Sequence, residues 1–335
     1  MTAPPARASA PPTAGPAGDA GEGVVGSETV SVDGIRLSGL VARPAGPPRA
    51  LVVALHGAGV TSGYFDTPAD RHLSLLVLGA RLGFTVWAPD RPGYGESAGL
   101  PDCELGLLGQ VDLLHRALGV FARSHDTGAG CLLVGHSYGA KVSIAMAADP
   151  RGAALLGVDA AGAGSRYSFV FGEGRPRAAP GDRSVLWGPP SLYPPATFRR
   201  GVLPMARTPR AQSSEAAAWG ADFERLAPEV RVPMRFTFGD HERIWSLSEE
   251  HFAELRSRLS RSPRVEVHLL RDAGHNVSLG YSARAYHLRA LAFAEECIAA
   301  GHVAAGHVAA GHVAAGHVAG HAPDRAHLPA AGTTR

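Results

Sequence analysis

The stretch that decides the fold is "CLLVGHSYGAKVSIAMAA", Cys131 to Ala148. An apolar run enters a Gly-x-Ser-x-Gly pentapeptide centred on Ser137, and good helix formers follow it. The pattern predicts a buried strand, a tight turn and a helix. The flanking glycines would permit a strained turn that lifts the serine hydroxyl away from the backbone. Ser137 is therefore a candidate nucleophile at the carboxyl end of a strand, where parallel sheets place their chemistry.

A second match to the same pentapeptide is "GESAG", Gly95 to Gly99, centred on Ser97. The stretch before it, "DRPGYG", is too rich in glycine and proline to be a strand, and the "LPD" after it does not fit a helix interior. A nucleophile turn needs both flanks. We therefore interpret Ser97 as a loop serine and Ser137 as the nucleophile.

On both sides of this centre, apolar runs alternate with longer segments of helical periodicity. Strands are predicted at "ALVVALHG", "FTVWAPD", "CLLVGHS", "ALLGVDAAG", "PMRFTFGD" and "RVEVHLLRDAG". Before them, "ETVSVDGIRLSGLVARP" predicts a hairpin around Asp33 and Gly34. Continuous apolar strands alternating with helices indicate an α/β fold with a mostly parallel central sheet and helices on both faces.

Composition changes divide the chain into five parts. Residues 1–26 are rich in Ala, Pro and Gly and are predicted to be disordered. The core is predicted at 27–161 and 229–299, interrupted by a Pro-, Gly- and Arg-rich stretch at 162–228 that we interpret as an inserted cap, because long loops in compact domains are usually lids or binding elements. Residues 300–335 form a low-complexity His/Ala/Gly tail.

The tail repeats "GHVAA", and a five-residue period matches neither a helix nor a strand. Its histidines would not line one face, so we expect a disordered tail. Loose binding of a transition metal is the alternative.

Composition excludes several classes of function. The 335 residues carry a net charge of only +2, too small for a nucleic-acid binder. No apolar run reaches the length of a membrane span, and the N-terminus does not resemble an export signal. Cys103, Cys131 and Cys297 are far apart, without metal-ligand spacing. We expect a cytoplasmic protein with no metal, no cofactor and no membrane or nucleic-acid partner.

Five motifs occur in a fixed order: "LHGAG", "PDRPGYGES", "GHSYG", "FGDHERIW" and "DAGHN". With these motifs the chain resembles the α/β-hydrolase superfamily over residues 28–298. The resemblance implies an α/β-hydrolase fold with a cap, and a serine hydrolase chemistry. It also implies that the backbone N–H groups of Ala58 and Tyr138 form an oxyanion hole.

The base is predicted to be His275, which follows the strand "VEVHLL" in a turn of small residues and precedes the last helix. In the family, chain order runs from serine to acid to histidine. Three other histidines compete less well: His56 lies in the oxyanion loop, His136 in the nucleophile turn and His268 within a strand.

The acid is open among three carboxylates. The family spacing Gly-x-x-Asp places Glu242 at the acid position in "GDHE". Asp240 lies two residues earlier, and Asp159 ends the strand after the nucleophile helix, where some members carry the acid. A carboxylate is needed because it fixes the histidine tautomer.

A serine nucleophile indicates acyl transfer, and hydrolysis of an ester or lactone is the first expectation. The expected pocket residues are Gly57, Gly59, His136, Trp187 and Tyr193. Eight arginines between residues 162 and 212 favour an alternative, a thioesterase, transacylase or cyclase acting on an acyl group carried by coenzyme A or an acyl carrier protein. The cap aromatics could line an acyl pocket or form the cap's own core. A third reading, from another class, is a non-catalytic small-ligand receptor.

Overall fold

A computed structural model describes residues 23–101, 105–168 and 184–318, with side chains of the last helix described as far as residue 303. Eight strands form one sheet in the order β1-β2-β4-β3-β5-β6-β7-β8. Their bounds are β1 Val25–Val32, β2 Ile35–Ala42, β3 Leu51–Leu55, β4 Thr85–Pro89, β5 Cys131–His136, β6 Leu155–Ala161, β7 Met234–Gly239 and β8 Val265–Leu270.

The first two strands form the predicted hairpin. Asp33 and Gly34 join them with φ of 49° and 83°, the left-handed conformations that a two-residue turn of this kind requires. β2 pairs antiparallel with β4, and all later pairings are parallel. The register pairs Leu55 with Gly135, so the carboxyl ends of β3 and β5 lie side by side.

Helices cover both faces of the sheet. They are α1 Leu75–Arg81, α2 Leu107–Ser124, α3 Tyr138–Ala148, α4 Ser184–Trp187, α5 Arg210–Ser214, α6 Trp219–Leu226, α7 Glu249–Arg258 and α8 Ala283–Val318. α2, α3, α6 and α7 pack into one buried cluster, and α1 and α8 pack into the other. Alternate residues of β3 enter opposite clusters, Val53 into the first and Val52 into the second. The predicted α/β fold is confirmed.

Two predicted boundaries differ from the structure. β1 begins at Val25, inside the stretch expected to be disordered, because its residues pair with β2. Residues 1–22 of that stretch lie outside the described residues, as do 169–183 of the expected cap. α6, at the end of the expected cap, packs Trp219 and Phe223 into the core cluster beside α3. The division of the chain into core and cap stays a prediction.

The repeat behaves differently from the expectation of an irregular tail. α8 continues through the repeat to Val318, because alanine is the best helix former and the first proline of the tail is Pro323. Residues 319–335 lie outside the described part. Within that part, no helix, including this long one, combines the length and apolar character needed to cross a membrane.

Candidate active site

Ser137 occupies a strained turn between β5 and α3. Its φ of 54° and ψ of −116° are unfavourable for a residue with a side chain, and such strain is typical of functional sites. The turn is held by the Ser137 amide, which donates to the Ala161 carbonyl oxygen at 2.8 Å. Both glycines of the pentapeptide are needed: a methyl group on Gly139 would overlap the Leu55 carbonyl oxygen, and one on Gly135 would lie 2.6 Å from the Ser143 hydroxyl.

A continuous hydrogen-bond chain starts at the serine. Ser137 Oγ lies 2.9 Å from His275 Nε2, and His275 Nδ1 lies 2.7 Å from Glu242 Oε2. The other carboxylate oxygen of Glu242 accepts the backbone N–H groups of Arg243 and Ile244 at 2.9 and 2.8 Å. Because a carboxylate only accepts, Nδ1 carries the proton and Nε2 is free to accept from the serine hydroxyl. The histidine and carboxylate side chains are both buried.

The other two candidate acids have different partners. The Asp240 carboxylate accepts the backbone N–H groups of Asp272 and Ala273, both at 3.0 Å, and so shapes the turn before the candidate base. The Asp159 carboxylate forms a buried ion pair with Arg235. Among the described residues, neither carboxylate is hydrogen-bonded to His275, whereas that of Glu242 is.

His136, expected in the pocket, is hydrogen-bonded to the backbone of the candidate base. Its Nε2 donates to the His275 carbonyl oxygen at 2.9 Å, and its ring stacks on Tyr64 with centroids 4.3 Å apart. Burial, and secondarily the neighbouring His275, holds the pKa of His136 well below its usual value. His136 therefore stays neutral and anchors the loop of the base, rather than facing open space.

The expected oxyanion residues belong to two segments that meet at the nucleophile turn. A methyl group added to Gly57 would lie 3.1 Å from Ser137 Cβ, so the loop after β3 passes directly against the nucleophile turn. Tyr138 is the first residue of α3, and its amide has no partner within the helix. The amide of Ala58 has no acceptor among the described residues, whereas that of Gly59 donates to the Tyr94 hydroxyl at 3.2 Å.

Trp187 and Tyr193, the two aromatic pocket candidates, pack against the loop that carries the base. Their ring centroids are 5.1 Å apart, and both side chains are buried. A methyl group on Gly274 would lie 2.7 Å from the Tyr193 hydroxyl, and Asn276 Nδ2 donates to the Leu186 carbonyl oxygen at 3.1 Å. This part of the expected cap therefore packs on the base loop.

Ser97 has the environment of a structural serine. It lies in a short 3-10 turn, Gly95–Ser97, and is buried. Its hydroxyl donates to the Tyr94 carbonyl oxygen at 2.8 Å and accepts the Gly93 N–H at 3.2 Å. These bonds close the loop on itself and leave no role for a histidine partner.

Sequence reasoning missed Arg91, which is completely buried behind the loop after β3. Its guanidinium donates to the His56 carbonyl oxygen at 2.6 Å, to Gly57 O at 3.1 Å and to Gln110 Oε1 at 2.6 Å. The available signal was position, because Arg91 comes two residues after the end of β4 inside "PDRPGYGES".

Lys141, the chain's single lysine, was also missed as a feature of the site. Its Nζ donates to the Tyr167 hydroxyl at 2.8 Å and lies 5.1 Å and 5.5 Å from the ring centroids of Trp219 and Trp245. Burial lowers the pKa of Lys141 to about 7, and Asp222 opposes the shift. The lysine joins α3 to the residues that follow β6.

Two cavities lie near these elements. One, of about 490 Å³, is lined by the glycine turn after β4 and by two exposed arginines, Arg207 and Arg210. The other, of about 570 Å³, lies beside the acid loop from Asp240 to Arg243. In the described part of the chain, no group of three or more His, Cys, Asp or Glu side chains is arranged to bind a metal.

With the fold and this geometry established, the class can be stated. The chain belongs to the α/β-hydrolase family, because the model described as "Alpha/beta hydrolase family" matches residues 52–295. A comparison with curated protein sequences returns no match.

Solved structures of low sequence identity share the fold. A thermostable carboxyl esterase from Bacillus coagulans is 17% identical, with a TM-score of 0.58, covering 82% of this chain and 99% of the esterase. The thioesterase domain from the curacin biosynthetic pathway is 18% identical, with a TM-score of 0.55, covering 80% and 99%. A monoacylglycerol lipase of Paleococcus ferrophilus is 20% identical, with a TM-score of 0.56, covering 77% and 98%.

Proposed function

We propose that the protein is a serine hydrolase that cleaves a carboxylic ester or lactone through an acyl-enzyme intermediate. The observation that carries the proposal is the unbroken hydrogen-bond chain from Ser137 Oγ through His275 to Glu242. A serine hydroxyl becomes a useful nucleophile only when a base accepts its proton, and a buried carboxylate fixes the tautomer of that base. Esterases, lipases and thioesterases with the same fold support this reading.

In the proposed acylation step, Ser137 Oγ attacks the carbonyl carbon while its proton passes to His275 Nε2. The carbonyl oxygen becomes an oxyanion and accepts the N–H groups of Ala58 and Tyr138. The positive end of the α3 dipole points to the same place. The intermediate collapses as His275 returns the proton to the leaving oxygen, which releases the alcohol. In a lactone, that oxygen stays attached to the acyl group.

In the proposed deacylation step, a water molecule takes the place of the alcohol. His275 removes a proton from the water, the resulting tetrahedral intermediate uses the same two amides, and Ser137 leaves with the proton from Nε2. Glu242 stabilises the imidazolium in both steps, and its two bonds to the backbone N–H groups of Arg243 and Ile244 keep the carboxylate in place. None of these steps uses a cofactor.

Labelling with a fluorophosphonate probe tests whether Ser137 is activated. The two candidate serines fall in different tryptic peptides, residues 124–141 for Ser137 and 82–116 for Ser97, so mass spectrometry separates them. We expect the label in 124–141, its loss in Ser137→Ala and its retention in Ser97→Ala. His275→Ala should slow labelling strongly, because the hydroxyl loses its base.

The opposite results are equally informative. A label in 82–116 would transfer the nucleophile to Ser97 and contradict the proposal. A folded protein that takes up no label and cleaves no ester would favour the non-catalytic receptor, and ligand binding would then be the assay.

A second candidate is a thioesterase for an anionic acyl carrier. It is favoured by the cavity of about 490 Å³ that Arg207 and Arg210 line. Within the described residues neither arginine has an ion-pair partner, whereas Arg166, another cap arginine, pairs with Glu250 and Glu254. Of the remaining cap arginines, three lie outside the described residues: Arg175, Arg177 and Arg183.

Comparing acyl-coenzyme A with a neutral p-nitrophenyl ester of the same acyl group tests this candidate. Replacing Arg207 and Arg210 with alanine should raise KM for the coenzyme A thioester alone, and the effect should weaken with salt. The matched control replaces Arg199 and Arg200, exposed arginines that do not line this cavity. Equal effects of both pairs would remove the case for an anionic carrier. An acyl carrier protein as partner and a cytoplasmic location stay predictions.

A further inference from the structure

Arg91 is a fully buried cation, and its hydrogen-bond acceptors in the described part of the chain are all uncharged. Its two ends bind different elements: Nε and Nη2 donate to the carbonyl oxygens of His56 and Gly57, and Nη1 donates to Gln110 on α2. Nη2 also donates to Gln212 Oε1 at 3.2 Å. Arginine stays protonated under ordinary conditions. Among the described residues, no carboxylate accepts a hydrogen bond from this guanidinium. Burying a cation in this way is costly, which indicates that its geometry has a use.

Because the peptide unit is planar, a hydrogen bond from Arg91 to the Gly57 carbonyl oxygen also orients the N–H of Ala58. The carbonyl oxygen of Gly57 and the N–H of Ala58 belong to one trans peptide and point in opposite directions. Arg91 holds the carbonyl at one end, so the N–H at the other end is directed away from the guanidinium. Ser137 lies against this loop, because a methyl group on Gly57 would come within 3.1 Å of Ser137 Cβ.

A histidine completes the clamp on this peptide. The backbone N–H of Arg91 donates to His56 Nε2 at 2.9 Å, which leaves the proton of the neutral ring on Nδ1. Nδ1 then donates to the same Gly57 carbonyl oxygen at 2.8 Å. Burial, assisted by the charge of Arg91, holds the pKa of His56 well below its usual value, so the ring stays neutral. The bond from the Arg91 N–H then fixes the tautomer.

The guanidinium also contacts the residue that supplies the second amide. Its central carbon lies 4.9 Å from the ring centroid of Tyr138, over the face that attracts cations. The Tyr138 hydroxyl in turn donates to Glu215 at 2.7 Å. One buried side chain therefore holds the carbonyl oxygen of the peptide that carries the Ala58 N–H and also contacts the ring of Tyr138.

We propose that Arg91 is a positioning residue that aims the Ala58 N–H at the oxyanion by holding the Gly57 carbonyl oxygen. The inference rests on the proposed hydrolase function. Arg91 does not touch substrate. The amide that Arg91 orients binds the negative charge on the oxyanion, and this charge develops only as the serine attacks. Arg91 therefore stabilises the transition state more than the bound substrate.

The affinities for two ketone inhibitors with the same acyl chain distinguish a positioning role of Arg91 from a general role in stability. A trifluoromethyl ketone adds the active-site serine and forms an oxyanion, whereas the methyl ketone of nearly the same shape resists addition. In Arg91→Met we expect kcat/KM for a p-nitrophenyl ester and affinity for the trifluoromethyl ketone to fall together by ~100-fold, comparable to loss of one oxyanion donor. Affinity for the methyl ketone should change less than about threefold, as expected of an interaction absent from the ground state.

Arg235→Met is the matched control, because Arg235 is a second buried arginine that pairs with Asp159 away from the loop. It should lower the melting temperature but leave the ratio of the two ketone affinities unchanged. If Arg91→Met does not fold, Arg91→Lys is measured instead, since an ammonium keeps the charge without the planar fork that reaches two carbonyl oxygens.

The inference is overturned if the Arg91 variant keeps the wild-type ratio of ketone affinities, or if its kcat/KM falls no further than that of Arg235→Met. That result leaves the hydrolase function intact. A wild-type protein that neither cleaves the ester nor binds the trifluoromethyl ketone overturns the function itself, and the positioning role with it.

Discussion

The two Gly-x-Ser-x-Gly stretches have the same sequence pattern and opposite environments. At Gly135–Gly139 the serine joins a buried strand to a helix, its φ is positive, and its hydroxyl faces His275. At Gly95–Gly99 the serine lies in a 3-10 turn, and its hydroxyl is hydrogen-bonded to two backbone groups of the same loop.

The difference shows what the pentapeptide contributes. Its glycines remove steric conflict, but the elements before and after them decide where the serine hydroxyl points. In the first stretch the glycines allow α3 to pass against the carbonyl oxygens at the end of β3. In the second, Gly95 has a φ of 54° and fits against Ser38 and Asp90, so this loop packs beside β2 instead.

Alanine replacement of each serine gives the largest contrast. We expect Ser137→Ala to lower kcat of ester hydrolysis by ~10⁴-fold or more, because the nucleophile is lost, and Ser97→Ala to lower it less than about threefold. Steady-state kinetics on a p-nitrophenyl ester measures both. Comparable losses of kcat in the two variants would contradict the assignment of Ser137 as the nucleophile and Ser97 as a structural serine.

The acid gives the next contrast. Glu242→Gln should lower kcat by ~10³- to 10⁴-fold, because an amide can present the wrong hydrogen-bonding group to His275 and carries no charge to stabilise the imidazolium. Asp240→Asn is the matched control two residues earlier and should cost less than about tenfold, since its carboxylate only shapes the turn. A larger loss in Asp240→Asn would reassign the acid.

The last glycine of each stretch gives a contrast in stability. A methyl group on Gly139 would overlap the carbonyl oxygens of Leu55 and His56, so Gly139→Ala should force α3 away from β3 and lower the melting temperature by several degrees. A methyl group on Gly99 meets nothing within 4 Å, and Gly99→Ala should leave the melting temperature within about one degree. Thermal unfolding monitored by circular dichroism compares the two. Equal shifts would contradict the proposed packing.

The smallest expected effect concerns Lys141, on the helix that leaves the first stretch. Its pKa is about 7 in the folded protein, against 10.5 as the ordinary value, so between these pH values the unfolded chain binds the extra proton. The free energy of unfolding should therefore rise with pH from about 7 to 10, by up to ~1.4 kcal/mol per pH unit from this group.

Urea unfolding at pH 7 and pH 9 checks this sign. Lys141→Met should lose this part of the pH dependence, so its stability relative to wild type is highest at pH 7. Tyr167→Phe keeps the amine and should retain the slope. Parallel pH profiles for wild type and Lys141→Met would show that the lysine keeps its proton when buried.

Local patterns predicted most of the fold. Strands with continuous apolar runs, the Asp33-Gly34 turn and the helix after Ser137 were all evident, because each depends on residues close together in sequence. The base could also be predicted from the sequence, since His275 follows a strand and precedes a helix. The acid could not be chosen from the sequence alone, because three carboxylates fitted the chain order. In the structure, Glu242 is the one of the three that is hydrogen-bonded to His275.

The support around the site could not be predicted in the same way. Arg91 contacts Gln212, and Lys141 contacts Tyr167, across long sequence separations that no local pattern encodes. The tail also differed from expectation, because the absence of an amphipathic period does not prevent an alanine-rich segment from continuing a helix that is already formed.

Trapping the acyl-enzyme tests directly whether Ser137 is the nucleophile. Wild-type protein is mixed with a p-nitrophenyl ester, quenched in acid during the first turnover and digested with trypsin. We expect the mass of the acyl group on residues 124–141, none on 82–116, and none on either peptide in Ser137→Ala. Ester cleavage with no acyl group on residues 124–141 at any quench time, or an acyl group on 82–116, would contradict the assignment of Ser137.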